Sequence, residues 1–216
     1  MSIFRAALFD LDGVVFNTEL QYTRFWGSQF KEFYPGSEGL EYKVKGQTLV
    51  QIFDTYYSGK LLAEREIISN RLHAYERDMD YPYVEGFVSF INHLKDGGVS
   101  MAIVTSSDLP KMEAVYRKRP DLKELIPTIL TSEDFDRSKP DPDCYLKAAF
   151  HLGVKVDECI VFEDSFNGLL SGRTANMATI GLSTTNSPES LSSFADMVVP
   201  NFTSLTLDLC KKLLNR

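Results

Sequence analysis

The chain has 216 residues, of which 44% are hydrophobic and 25% are charged, and its formal net charge is −7. This length is enough for one well-buried core, or for a core with a small second domain. No segment is rich in Lys or Arg, and no stretch approaches the roughly 18 apolar residues of a membrane span, so we expect neither a nucleic-acid nor a membrane partner.

Short apolar runs alternate with helical patterns along most of the chain. The first run covers 6–12, and later runs cover 100–105, 128–131, 159–162, 178–181 and 197–199. Helical patterns lie at 86–97, 108–118, 141–152, 165–176 and 187–194. This alternation predicts an α/β fold with a doubly wound, Rossmann-like parallel sheet that helices cover on both faces.

Residues 19–80 break this alternation, because they show helical spacing and no convincing strand. Three apolar stripes run through the segment: Tyr22, Trp26, Phe30 and Phe33; Leu49, Ile52, Phe53 and Tyr56; and Ile68, Leu72 and Tyr75. We interpret them as the packing faces of a helical bundle rather than as a cofactor site. The pattern predicts a small α-helical cap domain over 17–83, inserted into a core domain made of 1–16 and 84–216, with 81–86 as the return hinge.

Two carboxylates stand one residue apart at the end of the first run. A period of two puts Asp10 and Asp12 on the same side of a strand, where they repel each other unless a cation or a shared proton intervenes. Parallel sheets bind ligands at this end of their strands, and Gly13 permits a sharp exit. A calcium loop would need further oxygen ligands, which the apolar residues that follow cannot supply. Acidic capping of the strand end remains the alternative.

Hydroxyl residues end the second run. Thr105, Ser106 and Ser107 offer hydroxyl groups and backbone amides that suit phosphate oxygens. The same residues, followed by Asp108, are also typical of a helix N-terminus. The sequence leaves both interpretations open.

Charged residues follow two more of the predicted strands. Lys139 stands in a turn that contains two prolines. It is either a phosphate-binding cation or a solvated loop lysine. Glu163 and Asp164 follow the fourth apolar run. They are either oxygen ligands for a hard cation or acidic residues that cap the next helix. All these groups stand at carboxyl ends of strands in one sheet. Together they meet the needs of phosphoryl transfer: a nucleophilic carboxylate, a divalent cation, groups that hold phosphoryl oxygens, and a second carboxylate to protonate the leaving oxygen.

Four short motifs carry a family resemblance. They are FDLDGV at 9–14, VTS at 104–106, SKP at 138–140 and FEDSFNG at 162–168. In this order they resemble the four signatures of the haloacid dehalogenase (HAD) superfamily, in the branch with a small helical cap that includes β-phosphoglucomutases and sugar-phosphate phosphatases. The match runs over nearly the whole chain, and four motifs in order are highly specific.

The resemblance implies an HAD-type fold and an enzyme that uses Mg²⁺. Asp10 would form an aspartyl-phosphate, and Asp12 would act first as general acid and then as general base. The metal ligands would be Asp10, the backbone carbonyl of Asp12, and Asp164. Glu163 would either ligate the metal as well or support the site from behind its ligands.

The resemblance also implies how the substrate, a small phosphorylated metabolite, is held. Thr105 and Lys139 would bind the transferring phosphoryl group, with help from the backbone of Ser106. Lys45, in the predicted cap, would contact the substrate when the site closes and excludes water. A solvated surface lysine is the alternative for Lys45.

Two cap positions depart from the pattern of the branch's mutases. Those enzymes carry a histidine where this chain has Tyr22, and an arginine where Leu49 follows the pair Lys45–Gly46. Loss of the arginine removes a bidentate clamp for a second phosphate. We therefore favour hydrolysis, with a sugar phosphate as substrate, over β-phosphoglucomutase-type transfer. Inorganic pyrophosphatase activity is a further alternative.

Two other classes of protein fit the sequence less well. Receiver-type phospho-acceptor switches use an Asp, a hydroxyl residue and a Lys on a similar sheet, but they are shorter and their acceptor lies later in the chain. A dehalogenase would not need a magnesium site, so the pair of Glu163 and Asp164 argues against that activity.

The cysteines indicate the cellular compartment that we expect for the protein. Cys144, Cys159 and Cys210 lie far apart, and their odd number argues against a disulfide framework. Reduced thiols in an acidic chain without a signal-peptide pattern predict a cytoplasmic protein. We expect a monomer or a weak homodimer.

Overall fold

The computed structural model describes residues 3–45 and 47–215. Of the Lys45–Gly46 pair, only Lys45 is therefore described, and Gly46 lies outside the described residues together with Met1, Ser2 and Arg216. None of the helices in these ranges has the length and apolar character that crossing a bilayer requires.

Six parallel strands in the described chain form one sheet, which confirms the predicted fold class. The strands are β1 (Ala6–Phe9), β2 (Ser100–Val104), β3 (Ile129–Leu130), β4 (Cys159–Glu163), β5 (Ala178–Leu182) and β6 (Met197–Val199). Their order in the sheet is β3-β2-β1-β4-β5-β6. Strand β1 lies between β2 and β4, so Leu8 stands opposite both Ala102 and Val161. The carboxyl ends of β1, β2 and β4 therefore meet at the centre of one sheet edge.

Eleven α-helices are described. They are α1 (Glu19–Phe33), α2 (Leu40–Lys43), α3 (Leu49–Tyr56), α4 (Glu64–Asp78), α5 (Phe87–Asp96), α6 (Leu109–Lys118), α7 (Leu122–Leu125), α8 (Asp143–Leu152), α9 (Phe166–Thr174), α10 (Pro188–Leu191) and α11 (Leu207–Leu214). The buried side chains of β1 alternate between two clusters. Ala7 and Phe9 pack with α5, α6 and α11, whereas Ala6 and Leu8 pack with α8. Helices thus cover both faces of the sheet, as the period of two requires.

The structure corrects two predicted boundaries and adds one helix. Strand β1 ends at Phe9, so Asp10 and Asp12 lie in the turn that follows it rather than within a strand. The predicted helix at 187–194 covers only Pro188–Leu191. Helix α11, which is not predicted, begins after Thr206, whose side chain accepts a hydrogen bond from the backbone N–H of Leu209. Its apolar residues are buried only because the sheet lies beside them, so tertiary packing decides its stability.

Helices α1 to α4 share a hydrophobic cluster of their own. Residues from all three predicted stripes are buried in it, among them Trp26, Phe30, Ile52, Phe53, Ile68 and Leu72. The interpretation of the stripes as packing faces is therefore confirmed. The two chain connections to this helical segment run side by side, because the N–H of Asn17 donates to the carbonyl of Pro82 at 2.9 Å. The division into domains at 17 and 83 stays a prediction.

Substitution of two glycines can distinguish the cost of a steric clash from the cost of an unfavourable backbone conformation. Both Gly86 (φ +81°) and Gly98 (φ +69°) have left-handed backbone conformations. A methyl group at Gly86 would lie 2.7 Å from the backbone nitrogen of Thr203, whereas at Gly98 it would meet no described atom within 4 Å. We expect Gly98→Ala to lower the free energy of unfolding by about 1 kcal/mol, and Gly86→Ala by roughly 1–3 kcal/mol more because of the clash. Urea denaturation of both variants measures the difference, and equal losses would show that the contact with Thr203 is unimportant.

Candidate active site

A cavity of about 550 Å³ lies between the carboxyl edge of the sheet and helices α1, α3 and α4. Its walls include every residue predicted for the site: Asp10, Asp12, Lys45, Thr105, Ser106, Lys139, Glu163 and Asp164. The sheet brings these residues together from distant parts of the chain, because the strand ends that carry most of them are neighbours.

A buried lysine ammonium joins two of the carboxylates. Lys139, only 1% exposed, donates to Asp10 Oδ1 at 2.6 Å and to Glu163 Oε1 at 2.7 Å. Its third donor reaches the carbonyl oxygen of Val104 at 3.0 Å. All three ammonium protons therefore have acceptors, as a buried charge requires. These contacts also show that Lys139 is not a solvated loop lysine.

Burial raises the pKa of Asp10 to about 7; the charge of Lys139 opposes this rise, and the charge of Glu163 adds to it. The same surroundings hold the pKa of Lys139 well above its usual value: burial alone would lower it, but the charges of Asp10 and Glu163 raise it more. The ammonium consequently stays charged beside the carboxyl group of Asp10.

Glu163 is fully buried, and both of its oxygens are engaged. Oε1 accepts from Lys139 and, at 3.0 Å, from the hydroxyl of Tyr145. Oε2 accepts from the backbone N–H groups of Asp164 and Ser165, each at 3.1 Å, and from the Ser165 hydroxyl at 2.9 Å. A carboxylate with this many donors is held in one orientation.

Asp164, in contrast, has only neutral partners. Its Oδ2 accepts a hydrogen bond from the hydroxyl of Thr185, and its backbone carbonyl accepts from the Asn186 side chain at 2.8 Å. Gly13, at φ +75°, packs so closely that a side chain there would collide with the carboxylate. Burial, with the charges of Glu19 and Glu163, raises the pKa of Asp164 well above its usual value.

The carboxylates of Asp10, Glu163 and Asp164 each place an oxygen within 4.8 Å of the others. A set of oxygen donors alone is what Mg²⁺ prefers. Asp164 pairs with no cation among the described residues, so a divalent ion would supply the charge that this buried carboxylate lacks. The residues therefore fit a magnesium site. Because Glu163 is already saturated with donors, Asp10 and Asp164 are the carboxylates better placed to hold the ion.

Asp12 lies beside this group and contacts a different lysine. Its Oδ1 accepts from the Thr18 hydroxyl at 2.6 Å, and its Oδ2 pairs with the ammonium of Lys111. The Ser107 hydroxyl is 3.4 Å from the same Oδ2. Lys111 is buried, and its ammonium also lies 4.6 Å from the centre of the Tyr22 ring. Asp12 thus has hydrogen-bond and ion-pair partners that differ from those of Asp10.

The structure separates the two interpretations of the 105–108 segment. Asp108 is the N-cap of α6, since its side chain accepts from the N–H of Lys111 at 3.0 Å. Thr105 and Ser107 bond to each other, with 2.8 Å between their hydroxyl oxygens, and the Ser106 hydroxyl oxygen is buried without a partner in the described chain. Capping therefore explains Asp108, and the hydroxyl groups before it belong to the wall of the cavity.

The segment between α2 and α3 contributes Lys45 to the cavity wall. The Lys45 ammonium lies 3.4 Å from Glu19 Oε2, and the two side chains are only 16% and 12% exposed. Burial is also the main cause of the raised pKa of Glu19. Lys45 is therefore a partly buried, ion-paired residue and not a solvated surface lysine. Tyr22 and Leu49 line the same cavity.

Four residues of the site are not found by sequence reasoning: Glu76, Lys111, Tyr145 and Thr185. Lys111 and Glu76 stand on helices, where a charged residue is normally solvated. Thr185 follows the end of β5 and carries no motif. The sequence around Lys111 shows only that it lies in the first turn of a helix that Asp108 caps. This position does not indicate that the side chain is buried.

The chain is similar to known proteins in sequence and in fold. The family model described as haloacid dehalogenase-like hydrolase matches residues 7–182. The chain is 30% identical to hexitol phosphatase A of Escherichia coli, over 81% of each chain. It is 27% identical to β-phosphoglucomutase of Mycobacterium bovis, over 82% of this chain and 79% of the relative.

Among solved structures, the chain resembles an HAD hydrolase, family IA, variant 3, from Entamoeba histolytica. The TM-score is 0.85, the sequence identity is 25%, and the match covers 98% of this chain and 100% of the other. The similarity therefore extends over both the sheet and the helices above it.

The contacts of Lys139 predict a large effect on stability. Lys139→Met leaves the carboxyl groups of Asp10 and Glu163 buried without their cation, so we expect the free energy of unfolding to fall by about 3–5 kcal/mol. Lys147→Met is the control, since Lys147 pairs with Asp136 at 2.8 Å on the surface and should cost less than about 1 kcal/mol. Urea denaturation at pH 7 with EDTA compares the two. Similar losses would mean that the buried contacts do not stabilise the fold.

Proposed function

The chain belongs to the haloacid dehalogenase-like hydrolase family, and on this premise we propose that it is a magnesium-dependent phosphatase of a small phosphorylated metabolite. The observation that carries the proposal is the carboxylate of Asp10 at the floor of the cavity. One of its oxygens is bound by Lys139 at 2.6 Å, and the other accepts no hydrogen bond from the described residues. An oriented carboxylate with a free oxygen is suited to nucleophilic attack.

In the proposed reaction, Asp10 Oδ2 attacks the phosphorus atom and forms a bond to it. The bond between phosphorus and the leaving oxygen breaks, and Asp12 donates a proton to that oxygen. Water then attacks the aspartyl-phosphate and gives a proton to Asp12, while the bond from phosphorus to Asp10 breaks and releases phosphate. The separate surroundings of the two carboxylates support separate roles.

The substrate phosphate would be held by groups already in the wall. Lys139 supplies positive charge, and Thr105 and Ser106 supply hydroxyl and backbone donors. Mg²⁺ held by Asp10 and Asp164, with the backbone carbonyl of Asp12, would offset the negative charge that the phosphate brings. Glu163 would orient Lys139 instead of binding the metal, because both of its oxygens already accept hydrogen bonds from protein groups.

The charges in the cavity favour hydrolysis over a mutase reaction. Among the described residues, its three lysines are all ion-paired: Lys45 with Glu19, Lys111 with Asp12, and Lys139 with Asp10 and Glu163. A second phosphate would find no free cation on the cap side. The similarity to a β-phosphoglucomutase keeps transfer between positions of a hexose phosphate as the second candidate.

The proposal also covers the contact of Lys45, the identity of the substrate, the location of the protein and its oligomeric state. Lys45 would contact the substrate from the cap side, where its side chain is only 16% exposed. The hydrolysed compound would be a sugar phosphate. The chain would act in the cytoplasm as a monomer or weak homodimer.

The proposal predicts a specific set of activities. With Mg²⁺, the protein should release phosphate from p-nitrophenyl phosphate or hexose phosphates, and EDTA should abolish this release. Asp10→Asn keeps the shape of the side chain but removes the nucleophile, so we expect a loss of roughly 10³-fold or more with an unchanged circular dichroism spectrum. A panel that includes pyrophosphate and β-glucose 1-phosphate isomerisation measures the alternatives. Wild-type rates from Asp10→Asn, or no turnover on any phosphoester, would refute the proposal.

Asp12→Ala tests the role of the second carboxylate. A general acid matters most for a poor leaving group, so the variant should lose roughly 10²–10⁴-fold on an alkyl phosphate and clearly less on p-nitrophenyl phosphate. The kcat values for both substrates, measured in wild type and variant, provide the comparison. Equal losses on both substrates would exclude proton donation by Asp12.

A further inference from the structure

One carboxylate of the cavity has no part in the chemistry proposed above. Glu76, on α4, is 3% exposed and lines the cavity. Its Oε1 accepts from the Tyr22 hydroxyl at 2.9 Å, and its backbone carbonyl accepts from the Tyr81 hydroxyl at 2.8 Å. The side chain is therefore held in place from two neighbouring segments.

The other oxygen of this carboxylate is unsatisfied. Glu76 Oε2 is buried and has no hydrogen-bond partner among the described residues. The ammonium of Lys111 is a nearby cation, but it is paired with Asp12. Buried carboxylate oxygens without a donor are rare in folded proteins, because they lose the hydrogen bonds of water and gain nothing in exchange. Such an oxygen in a cavity wall is available to a donor carried by a ligand.

The surroundings of Glu76 indicate what kind of ligand group would lie there. Apolar side chains of the cap, Trp26, Phe53 and Leu72, line the cavity together with it. A group that fits between them has carbon surface as well as hydrogen-bond donors. A second phosphate does not fit, because it would bring negative charge towards Glu76 while the lysines of the cavity are already paired.

We propose that Glu76 is a specificity-determining residue, whose Oε2 accepts a hydrogen bond from a hydroxyl group on the leaving group of the substrate. Tyr22 is then a positioning residue, because its hydroxyl fixes Oε1 and leaves Oε2 for the ligand. This inference rests on the proposed phosphatase function. It identifies the substrate as the monophosphate of a hydroxylated carbon chain or ring, selected by the cap and not by the phosphate site.

The test compares two phosphomonoesters with six-carbon primary leaving groups, D-glucitol 6-phosphate and n-hexyl phosphate. Wild type should have a kcat/KM about 10-fold or more higher for the hydroxylated substrate. The assays are run above pH 8, because burial raises the pKa of Glu76 to about 7 and the carboxyl group must be charged. Glu76→Gln keeps the size of the side chain but removes this charge, so the preference should fall roughly 10-fold, as for a hydrogen bond to a charged group. Asp78→Asn makes the same chemical change at an exposed position of α4 and should leave the preference unchanged.

The outcomes separate this inference from the function on which it rests. An unchanged preference in Glu76→Gln, or no preference in wild type, overturns the inference while hydrolysis of either substrate or of p-nitrophenyl phosphate still supports a phosphatase. If wild type hydrolyses none of the three, the proposed function fails and the inference fails with it. Should Glu76→Gln not fold, Tyr22→Phe replaces it, with a smaller fall expected, and an unchanged preference there also overturns the inference.

Discussion

The site depends on one buried interaction, the ammonium of Lys139 between Asp10 and Glu163. An ammonium that is 1% exposed is costly to remove from water. It stays charged because two carboxylates and a backbone carbonyl accept hydrogen bonds from it. The same contacts hold Asp10 and Glu163 close together in spite of their like charges. The position of the Asp10 carboxylate, the proposed nucleophile, is thus determined by the requirement to neutralise a lysine. The geometry of the site therefore follows from the stability of the fold.

The sheet makes that arrangement possible. Strands β1 and β4 are neighbours, so Asp10 and Glu163, which stand at or just beyond their carboxyl ends, are brought to the same edge. Close backbone packing then fixes the acids in place. Gly13 lies against Asp164 and Gly168 lies against Glu163, in each case with no room for a side chain. A glycine in the turn after β1 and a glycine in the first turn of α9 therefore both leave room for the carboxylates.

The helices above the sheet add a second, independent layer. Gln51 donates to the backbone carbonyl of Lys139 at 3.0 Å, and His73 lies 3.1 Å from Asp108, so polar contacts link these helices to the sheet on both sides of the cavity. In the functions proposed above, chemistry and selection are carried by different parts of the molecule. The carboxylates at the sheet edge, with Lys139, would act at the phosphoryl group, whereas Tyr22 and Glu76 would face the part of a substrate that differs from one phosphoester to the next.

The sequence by itself determines the sheet and most of the site, because both depend on local patterns. Short apolar runs predict β1 and its neighbours, and the position of Asp10, Lys139 and Asp164 in motifs after such runs predicts that they belong to the site. The tertiary structure decides which charged residues and which helices become buried, because local sequence patterns do not specify contacts between distant segments. Lys111 and Glu76 have the appearance of solvated helix residues, and α11 has no partner in the sequence around it. Their burial arises from contacts with segments far away in the chain, and burial is the property that turns an ordinary charged side chain into part of a site.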